Sequence, residues 1–443
     1  MIIDKKKVYL KVWGCQMNES DSELVQTLLE LEGFQFSDSA EKADIILLNT
    51  CAVREHAVRR VRGAVHEIRH KRKGRPALIG ILGCVPTHLK QDLLKDKNLN
   101  VDLIAGPDSY RRLPQLINEF FSRRIPVADL DFDITESYED IIPQRQPGVN
   151  AWVPIMRGCD NFCTFCVVPY TRGRERSRDS RSILKEIRRA VGDGYPQITL
   201  LGQNVNSYGF DSCDFSGLLE KISRIKGLKR IRFMSPHPKD FPDKLLKVMA
   251  AHDNICKHIH LPLQAGNTRV LKIMNRCYTQ RDYLRLINKI RQVLPNTLLT
   301  TDIIVGFPTE TDKEFLDTVA VIKKVRYDAA FIFKYSPRAG TLAAKKYQDD
   351  VHPEVKTERI VSLNQIQKQI SLKKNQSRIG QTFDVMIESK TSARSTRQCT
   401  SRTDGNIIVI LPKGAYRIGD ILAARITGAT PNVLQGRIPE DDL

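Results

Sequence analysis

The feature that most constrains the fold is a repeated alternation of apolar strands and amphipathic helices between residues 151 and 335. Six strand-like runs occur in this region, namely AWVPIM, QITLLG, KRIRFMS, HIHLPL, TLLTTDIIVG and AAFIFKY. Strands that alternate with helices build parallel sheets. Six such units exceed an ordinary open sheet and fall short of the eight units of a closed barrel. The pattern therefore predicts a partial (β/α)6 barrel.

Residues 5–122 show the same alternation on a smaller scale. The runs KVYLKVW, ADIILLNT and PALIGILG are strand-like, and the segment ESDSELVQTLLELEGF between the first two predicts a capped helix. A basic helical segment follows the second run, and a further helical segment follows the third. This region is therefore predicted to form a small doubly wound parallel sheet.

The composition changes on either side of the predicted barrel. Residues 123–147 are acidic and then contain proline and glycine, which is typical of a linker, and packing on the surface of a domain is the alternative. The predicted barrel domain covers residues 148–376 and ends in a long amphipathic segment. Residues 377–441 contain short strand-like runs, which predict a small β-barrel of a kind that often binds nucleic acid. The expected fold class is thus α/β and multidomain.

The charge balance restricts the class of partner. The chain of 443 residues carries 70 basic and 51 acidic side chains, a net charge of +19. This excess favours a polyanionic partner such as nucleic acid, with a generally basic surface as the alternative. No apolar run reaches the ~18–20 residues that span a bilayer, and the N-terminus lacks the features of a signal peptide. We therefore expect a cytoplasmic protein whose cysteines are reduced.

Cys159, Cys163 and Cys166 follow the first strand of the predicted barrel, where barrel enzymes place their active sites. Their C-x3-C-x2-C spacing is unusual for zinc, and no fourth cysteine or histidine lies beside them. Three thiolates suit a [4Fe–4S] cluster with one iron left open for a substrate or a cofactor.

Cys15, Cys51 and Cys84 form a second set in the N-terminal region. Each of them follows an apolar strand, and parallel strands present their carboxyl ends at one edge of the sheet. The three thiols are therefore predicted to converge there. The alternative is that they are three small buried hydrophobic side chains.

The stretch GCDNFCTFC resembles the signature of the radical S-adenosylmethionine (SAM) superfamily. In that superfamily the amino and carboxylate groups of SAM chelate the open iron, and the reduced cluster cleaves SAM to a 5′-deoxyadenosyl radical. By the same resemblance, Phe165 packs near the adenine of SAM. The partial barrel predicted above is also the fold of that superfamily.

The resemblance extends over nearly the whole chain. The segments WGCQMNESDSE, LNTCAVREHA, VVPYTRGRERSR, LLGQNVNSYG, SPHP, HLPLQAGN, MNR, DIIVGFPTET and KYSPRAGTLAA are similar, in this order, to the methylthiotransferase family. In that family the three N-terminal cysteines hold an auxiliary [4Fe–4S] cluster, and the C-terminal barrel is a TRAM module. Within the family, CAVRE, PYTRGRERSR and LGQNVNSYG most resemble the branch that modifies tRNA.

The resemblance implies a specific activity, the methylthiolation of C2 of N6-(dimethylallyl)adenosine next to the anticodon of tRNA. SAM would be both methyl donor and radical source, and two [4Fe–4S] clusters would be required. The C2 hydrogen is not acidic, so acid–base catalysis alone does not remove it and a cofactor-derived radical is needed. An external electron donor and a sulfur source are implied, and we expect a monomer.

Other functions remain open from the sequence. The same chemistry could act on threonylcarbamoyl-adenosine in tRNA or on an aspartate of a ribosomal protein. A different class of function is a zinc-stabilised RNA-binding protein without radical chemistry.

The family resemblance also suggests residues that contact SAM. Gly202, Gln203 and Asn204, in the segment LLGQNVNSYG, and Asp302, in DIIVG, are the expected contacts. Two positions depart from the family pattern, which often has an acidic residue in place of Arg157 and a serine in place of Ala265.

Two basic segments lie close to the cysteine sets. One contains Arg172, Arg174, Arg176, Arg178 and Arg181, and the other is the run 59–75. Lysines and arginines in such positions favour phosphate contacts that orient a tRNA anticodon stem-loop, while solvated helix faces are the alternative. His258 and His260 alternate on a strand-like run and are expected to be structural.

Overall fold

The computed structural model describes residues 6–52, 56–72, 74–90 and 92–439, without the side chains of residues 56–59. Several predicted features lie outside the described residues. They are the outer domain limits at residues 5 and 441, the residues VRE of the CAVRE segment, Lys73 and the side chain of Arg59.

The N-terminal domain is a six-stranded parallel sheet in the order β2-β1-β3-β4-β5-β6, as the doubly wound prediction requires. Strands β3 and β4 are buried along their whole length, because helices cover both faces of the sheet. The elements are β1 (Lys7–Trp13), α1 (Gln16–Leu31), β2 (Gln35–Phe36), β3 (Ile45–Thr50), α2 (His56–Lys71), β4 (Leu78–Gly83), α3 (Cys84–Leu89), α4 (Asp92–Lys95), β5 (Leu103–Ala105), α5 (Leu113–Arg123) and β6 (Val127–Asp129).

The segment expected to be a linker packs on this domain instead of bridging two domains freely. Its first part supplies β6, which pairs with β5 at the edge of the sheet. Farther along, the Tyr138 ring is buried in the N-terminal core and its hydroxyl donates a hydrogen bond to the carbonyl oxygen of Pro107 over 3.0 Å. The N-terminal domain therefore extends well into residues 123–147.

The second domain is the partial barrel, in which six parallel strands form two three-stranded halves, β13-β10-β7 and β14-β15-β16. A backbone bridge between Ile231 and Ile255 joins the halves. The elements are β7 (Asn150–Pro154), β8 (Met156–Arg157), α6 (Val168–Thr171), β9 (Arg176–Ser177), α7 (Ser180–Gly192), β10 (Gln197–Leu201), β11 (Gly209–Phe210), β12 (Cys213–Asp214), α8 (Phe215–Ser223), β13 (Arg230–Phe233), α9 (Asp243–Ala251), β14 (His258–His260), α10 (Thr268–Ile273), α11 (Gln280–Val293), β15 (Leu298–Val305), α12 (Asp312–Val325), β16 (Ala329–Lys334), α13 (Leu342–Lys346) and α14 (Pro353–Gln376).

The C-terminal domain is a closed five-stranded barrel in the order β17-β18-β19-β21-β20, with a small core of its own. Its strands are β17 (Thr382–Ser389), β18 (Gln398–Thr403), β19 (Ile408–Pro412), β20 (Ile421–Ala429) and β21 (Val433–Arg437). Arg230 and Arg232 of β13 attach this barrel, because their guanidinium groups donate to four of its backbone carbonyls over 2.6–2.9 Å.

The three domains enclose a cavity of about 800 Å³. The cavity is lined by residues of all three domains, among them Trp152, Thr199 and His258 from barrel strands, Glu19 of α1 and Arg402 of the C-terminal domain. The interior of the partial barrel is therefore an open space, as a ligand site requires. None of the helices in the described part of the chain combines the length and the apolarity that crossing a membrane requires.

Candidate active site

The N-terminal cysteines occupy three successive turns at one edge of the parallel sheet. Cys15 caps the N-terminus of α1, Cys51 directly follows β3 and Cys84 begins α3. Because β1, β3 and β4 are adjacent and parallel, these turns meet at the carboxyl edge, as predicted. The thiols of Cys15 and Cys51 are hydrogen-bonded to each other.

Two buried asparagines hold these turns together. The side-chain amide of Asn18 donates to the Asn49 side chain over 2.9 Å, and its oxygen accepts from the Cys15 thiol over 3.3 Å. Asn49 in turn donates to the backbone carbonyl of Asn18 and to the hydroxyl of Ser22. The first two cysteine turns are therefore fixed relative to each other by side-chain amides rather than by sheet hydrogen bonds alone.

The third turn depends on Gly83. Its φ of 91° lies in the left-handed region, and a Cβ atom there would approach Asn49 Oδ1 to 2.5 Å and the Thr50 carbonyl oxygen to 2.6 Å. Only glycine fits this backbone, which turns directly from β4 into the helix that begins at Cys84.

The barrel cysteines lie on a loop that connects two short paired strands. Strands β8 and β9 pair antiparallel, and the loop between them carries Cys159, Cys163 and Cys166. Gly158 opens the loop with a φ of 77° and lies against the backbone of Arg174, whose carbonyl oxygen would be 1.9 Å from an added Cβ. The two ends of the loop therefore pack tightly against each other at Gly158 and Arg174, and we call this contact the neck of the loop.

The segment after α10 supports the other side of this loop. Thr164 donates its backbone N–H to the Met274 carbonyl and its hydroxyl to the Ile273 carbonyl, each over 3.0 Å. Asn275 donates to the carbonyls of Asn161 and Phe162 over 3.1 Å. This support consists of the residues of the MNR motif and the one before it, for which the sequence predicted no role.

A buried carboxylate links the two cysteine sets. Asp21 of α1 accepts from Arg157 over 2.9 Å and from Arg172 over 2.7 Å, and all three side chains are almost completely buried. Arg172, which follows the barrel cysteines, also lies near Cys84, where its positive charge opposes the rise in the thiol pKa that burial causes. One loop therefore carries one cysteine set and delivers a guanidinium group to the other.

This arrangement corrects the interpretation of the arginines after Cys166. Arg176 binds Asp108 of the N-terminal domain through two hydrogen bonds of 2.8 and 3.0 Å, and Arg178 binds the buried Glu186 over 2.7 Å. Like Arg172, these two arginines form ion pairs with carboxylates of the protein, so they are not available to bind the phosphates of a polyanion. Arg174 and Arg181 remain exposed, at 65% and 85% of their side-chain area.

The basic run 59–75 also contains both a buried arginine that binds groups of the protein and basic side chains that are exposed to solvent. Arg72 is buried and donates to the carbonyls of Ala40, Ala43 and Pro76, so it holds the helix on the sheet. Arg62 is exposed beside Asp96, and Lys71 pairs with Glu67 on the helix surface. A single helix thus combines one structural arginine with a solvated basic face.

The expected SAM contacts fall in two places. Gly202, Gln203 and Asn204 follow β10, beside the strand that leads to the barrel cysteines. The Asn204 amide donates to Asp240 over 2.9 Å, while Gln203 Oε1 and Asn204 Oδ1 are buried without a hydrogen-bond partner among the described residues. Two orphaned acceptors at a strand end fit a ligand that brings N–H or O–H donors.

Asp302 lies within β15, on the other half of the barrel. Among the described residues, no hydrogen bond connects its side chain to a cysteine of either set. Its carboxylate accepts from His260 Nε2 over 3.2 Å, and the Thr300 hydroxyl joins His260 to His258 over 3.0 Å on each side. Burial lowers the pKa of His258 to about 3, so this histidine is neutral. Phe165 is half-buried against the barrel core.

His237, in the SPHP segment, is a further candidate that the sequence did not single out. Burial lowers its pKa to about 2, and its Nδ1 accepts the backbone N–H of Lys239. The opposite ring atom, Nε2, is buried and has no hydrogen-bond partner among the described residues. His237 therefore offers one free N–H. Asn206 joins the loop of His237 to the loop that carries Gln203 and Asn204, because its side chain hydrogen-bonds to the His237 backbone.

The thiols have different tendencies to ionise. A hydrogen bond from Cys51 and the charge of Arg172 lower the pKa of Cys15 to about 6 against the effect of burial. Burial raises the pKa of Cys159 to about 11 and that of Cys166 to about 12. A coordinating metal ion deprotonates such thiols outright. None of the ten cysteines, all of which lie in the described part of the chain, forms a disulfide bond.

Each donor set consists of three cysteine thiols, the ligand type that holds iron–sulfur clusters. Each thiolate of a four-iron cluster binds a different iron, so its sulfur atoms lie farther apart than the ligands of one zinc. Among the described residues, no three cysteine, histidine or acidic side chains are close enough to bind one ion.

Comparisons with known proteins match this division into domains. Residues 7–106 match the family described as Uncharacterized protein family UPF0004, residues 153–322 the Radical SAM superfamily, and residues 376–438 the TRAM domain. A protein of Chlorobium limicola is 44% identical over 444 residues, which cover 99% of both chains. Its name is tRNA-2-methylthio-N(6)-dimethylallyladenosine synthase.

The chain belongs to this synthase family. Proteins with the same name from Chlorobium phaeobacteroides and Bacteroides thetaiotaomicron are 43% and 42% identical and cover 97% and 98% of this chain, and 96% of their own length. The family confirms the predicted resemblance to methylthiotransferases.

Solved structures confirm the fold at much lower identity. The radical SAM methyltransferase TsrM from Kitasatospora setae, with cobalamin and a [4Fe–4S] cluster bound, superposes with a TM-score of 0.58 at 16% identity and covers 77% of each chain. The cobalamin-dependent radical SAM enzyme OxsB gives a TM-score of 0.53 at 10% identity, with 80% of this chain and 56% of that chain covered. At these identities the likeness concerns the fold alone.

Asp21→Asn is expected to weaken the junction of the two domains. The substitution leaves Arg157 and Arg172 buried without a counter-charge, which costs about 3–5 kcal/mol. We expect a lower thermal unfolding midpoint and reduced iron content after anaerobic reconstitution. The control is Asp38→Asn, which changes an exposed carboxylate on the same domain. Unchanged stability and iron content in Asp21→Asn would contradict the structural role of this ion pair.

Gly158→Ala is expected to disrupt the neck of the barrel cysteine loop. The added Cβ has no space beside the Arg174 carbonyl, and the φ of 77° disfavours alanine. We expect the reconstituted protein to lose about half of its iron, roughly four of about eight atoms. Gly192→Ala is the matched control, because the Cβ there meets nothing within 4 Å. Full iron content in Gly158→Ala would be inconsistent with this role of the neck.

Proposed function

We propose that this enzyme methylthiolates C2 of N6-(dimethylallyl)adenosine next to the anticodon of tRNA. The observation that carries the proposal is the junction of the two cysteine sets, where Arg172 of the barrel loop binds Asp21 and lies near Cys84. Radical generation and sulfur delivery need to act on one base, and this junction is where the two cysteine-bearing loops meet. The names of the full-length relatives support the choice of substrate.

The six cysteines are the proposed ligands of two [4Fe–4S] clusters, with Cys15, Cys51 and Cys84 at one and Cys159, Cys163 and Cys166 at the other. When bound, these cofactors and SAM supply the carbon radical, the sulfur and the methyl group. Four of the six cysteines are buried, which would limit the access of water to the clusters: Cys51, Cys84, Cys159 and Cys163. The C2 position carries no acidic hydrogen, which is why the chain relies on cofactors rather than on a catalytic base.

Specific side chains would orient SAM and the base. Gln203 Oε1, Asn204 Oδ1 and His237 Nε2 are buried, unpartnered and joined through one pair of loops, so they are the proposed polar contacts. Phe165 offers an aromatic surface beside the barrel cysteines, and Gly202 lets β10 approach Met156, since a Cβ there would be 2.6 Å from its side chain. Asp302 and His260 would contact the ligand from the opposite half of the barrel.

The tRNA anticodon stem-loop would reach the cavity between the domains. The net charge of +19 supports a polyanionic partner, and the TRAM barrel contributes Arg402 to the lining of the cavity. Exposed Arg174 and Arg181 remain candidates for phosphate contacts. The proposal includes a cytoplasmic location, an external electron donor, a sulfur source and a monomeric enzyme.

Nucleoside analysis of tRNA tests the substrate assignment. Mass spectrometry should find 2-methylthio-N6-(dimethylallyl)adenosine in tRNA from cells that contain the protein, and N6-(dimethylallyl)adenosine in its place when the gene is deleted. Loss of a methylthio group from threonylcarbamoyl-adenosine, or from a ribosomal protein, would instead support the corresponding alternative.

Cys15→Ala is expected to separate the two half-reactions. The variant should still cleave SAM to 5′-deoxyadenosine, because the barrel cysteines are intact, but it should form no methylthio product. Chromatography of both products from one anaerobic reaction measures the split. Cys213→Ala, a thiol outside both sets, is the control and should retain both activities. Loss of SAM cleavage in a folded, iron-loaded Cys15→Ala variant would contradict the division of roles.

A further inference from the structure

Arg276 lies beside the barrel cysteines and has an unusual set of partners. Its side chain is buried, with 8% of its surface exposed, after helix α10. Its Nη1 donates to Cys163 Sγ over 3.2 Å, its Nε donates to the Tyr278 hydroxyl over 3.0 Å, and its Nη2 donates to the Pro262 carbonyl over 3.4 Å. A full positive charge thus lies at hydrogen-bond distance from an expected cluster ligand.

No carboxylate balances this charge. Among the described residues, Arg276 forms no ion pair with an aspartate or glutamate, whereas Arg172 and Arg178 each have one. The Tyr278 hydroxyl hydrogen-bonds to the carbonyls of Pro262 and Leu263, and burial raises its pKa, so it is neutral. The buried guanidinium therefore has no anionic partner among the described residues, and such a charge is costly unless a bound ligand balances it.

The position of Arg276 is fixed by the chain on both sides of it. Asn275 is held on the carbonyls of Asn161 and Phe162, and the Arg276 backbone N–H donates to the Leu271 carbonyl over 2.8 Å. The Tyr278 ring packs against His237 at 5.8 Å between centroids. The guanidinium is therefore held in place against the sulfur atom before any ligand binds.

We propose that Arg276 raises the reduction potential of the cluster held by Cys159, Cys163 and Cys166. Reduction takes one electron from an external donor and adds one negative charge to the centre, with no bond made or broken. A cation at hydrogen-bond distance stabilises the more negative, reduced state, and hydrogen bonds to cluster sulfur are an established means of setting potentials. Arg276 acts through the thiolate and is a positioning residue.

This inference rests on the cofactor content of the proposed function but not on its RNA substrate. The potential is measured without tRNA, on the anaerobically reconstituted full chain, by a redox titration followed by electron paramagnetic resonance. A protein that binds no iron would refute the proposed function. A protein with two clusters and unaltered potentials in the variants would refute only the role of Arg276.

Arg276→Met removes the charge and the N–H donors. We expect the reduction potential of one of the two clusters to become more negative by at least about 59 mV. For a one-electron reduction, this shift corresponds to a tenfold change in the equilibrium constant. The other potential should not move, since Arg276 contacts only one cysteine set. Arg230→Met is the matched control, because Arg230 is also buried and donates to backbone carbonyls, but it contacts none of the six ligand cysteines.

A second pair of variants keeps the test decisive if Arg276→Met does not fold. Arg276→Lys retains the charge, while Arg276→Gln retains an N–H donor without the charge. The potential of the Lys variant should lie above that of the Gln variant. Equal potentials in Lys and Gln, or equal shifts of both clusters in Arg276→Met, would overturn the proposal.

Discussion

The carboxylate of Asp21 is the interaction on which the arrangement of the two α/β domains depends. It lies on the first helix of the chain and binds Arg157 and Arg172, which flank the barrel cysteine loop. A buried ion pair contributes little net stability compared with well-packed apolar residues, but it is strongly directional and costly to break. It therefore fixes the orientation of one cysteine set relative to the other, which apolar packing alone would leave less strictly defined.

Each cysteine set is built on backbone geometry that other side chains maintain. Asn18, Asn49 and Gly83 hold the N-terminal turns, and Gly158 and Asn275 hold the barrel loop. A guanidinium group approaches each set from outside its own loop. Arg172 reaches Cys84 across the domain boundary, and Arg276 reaches Cys163 from across the barrel, so both sites carry positive charge where thiolates need to form.

The fold could be predicted from the sequence because its signals are local and repeated. The six barrel strands lie in the six strand-like runs of the sequence, and helical segments separate these runs. The cysteine sets could be predicted for the same reason, since strand ends in a parallel sheet share an edge. The segment 123–147 was misleading because strand β6 is only three residues long and follows acidic neighbours, so its pairing depends on the sheet beside it.

The sequence by itself determined the two sets of three cysteines that we propose as cluster ligands, because residue type and spacing are visible along the chain. Only the tertiary structure decided what the charged residues do. Arg172, Arg176 and Arg178 have the same composition and spacing as a phosphate-binding segment, yet they pair with carboxylates from distant parts of the chain. An arginine binds whichever anion the fold brings to it, and that partner lies far away in sequence, so no local pattern reveals it.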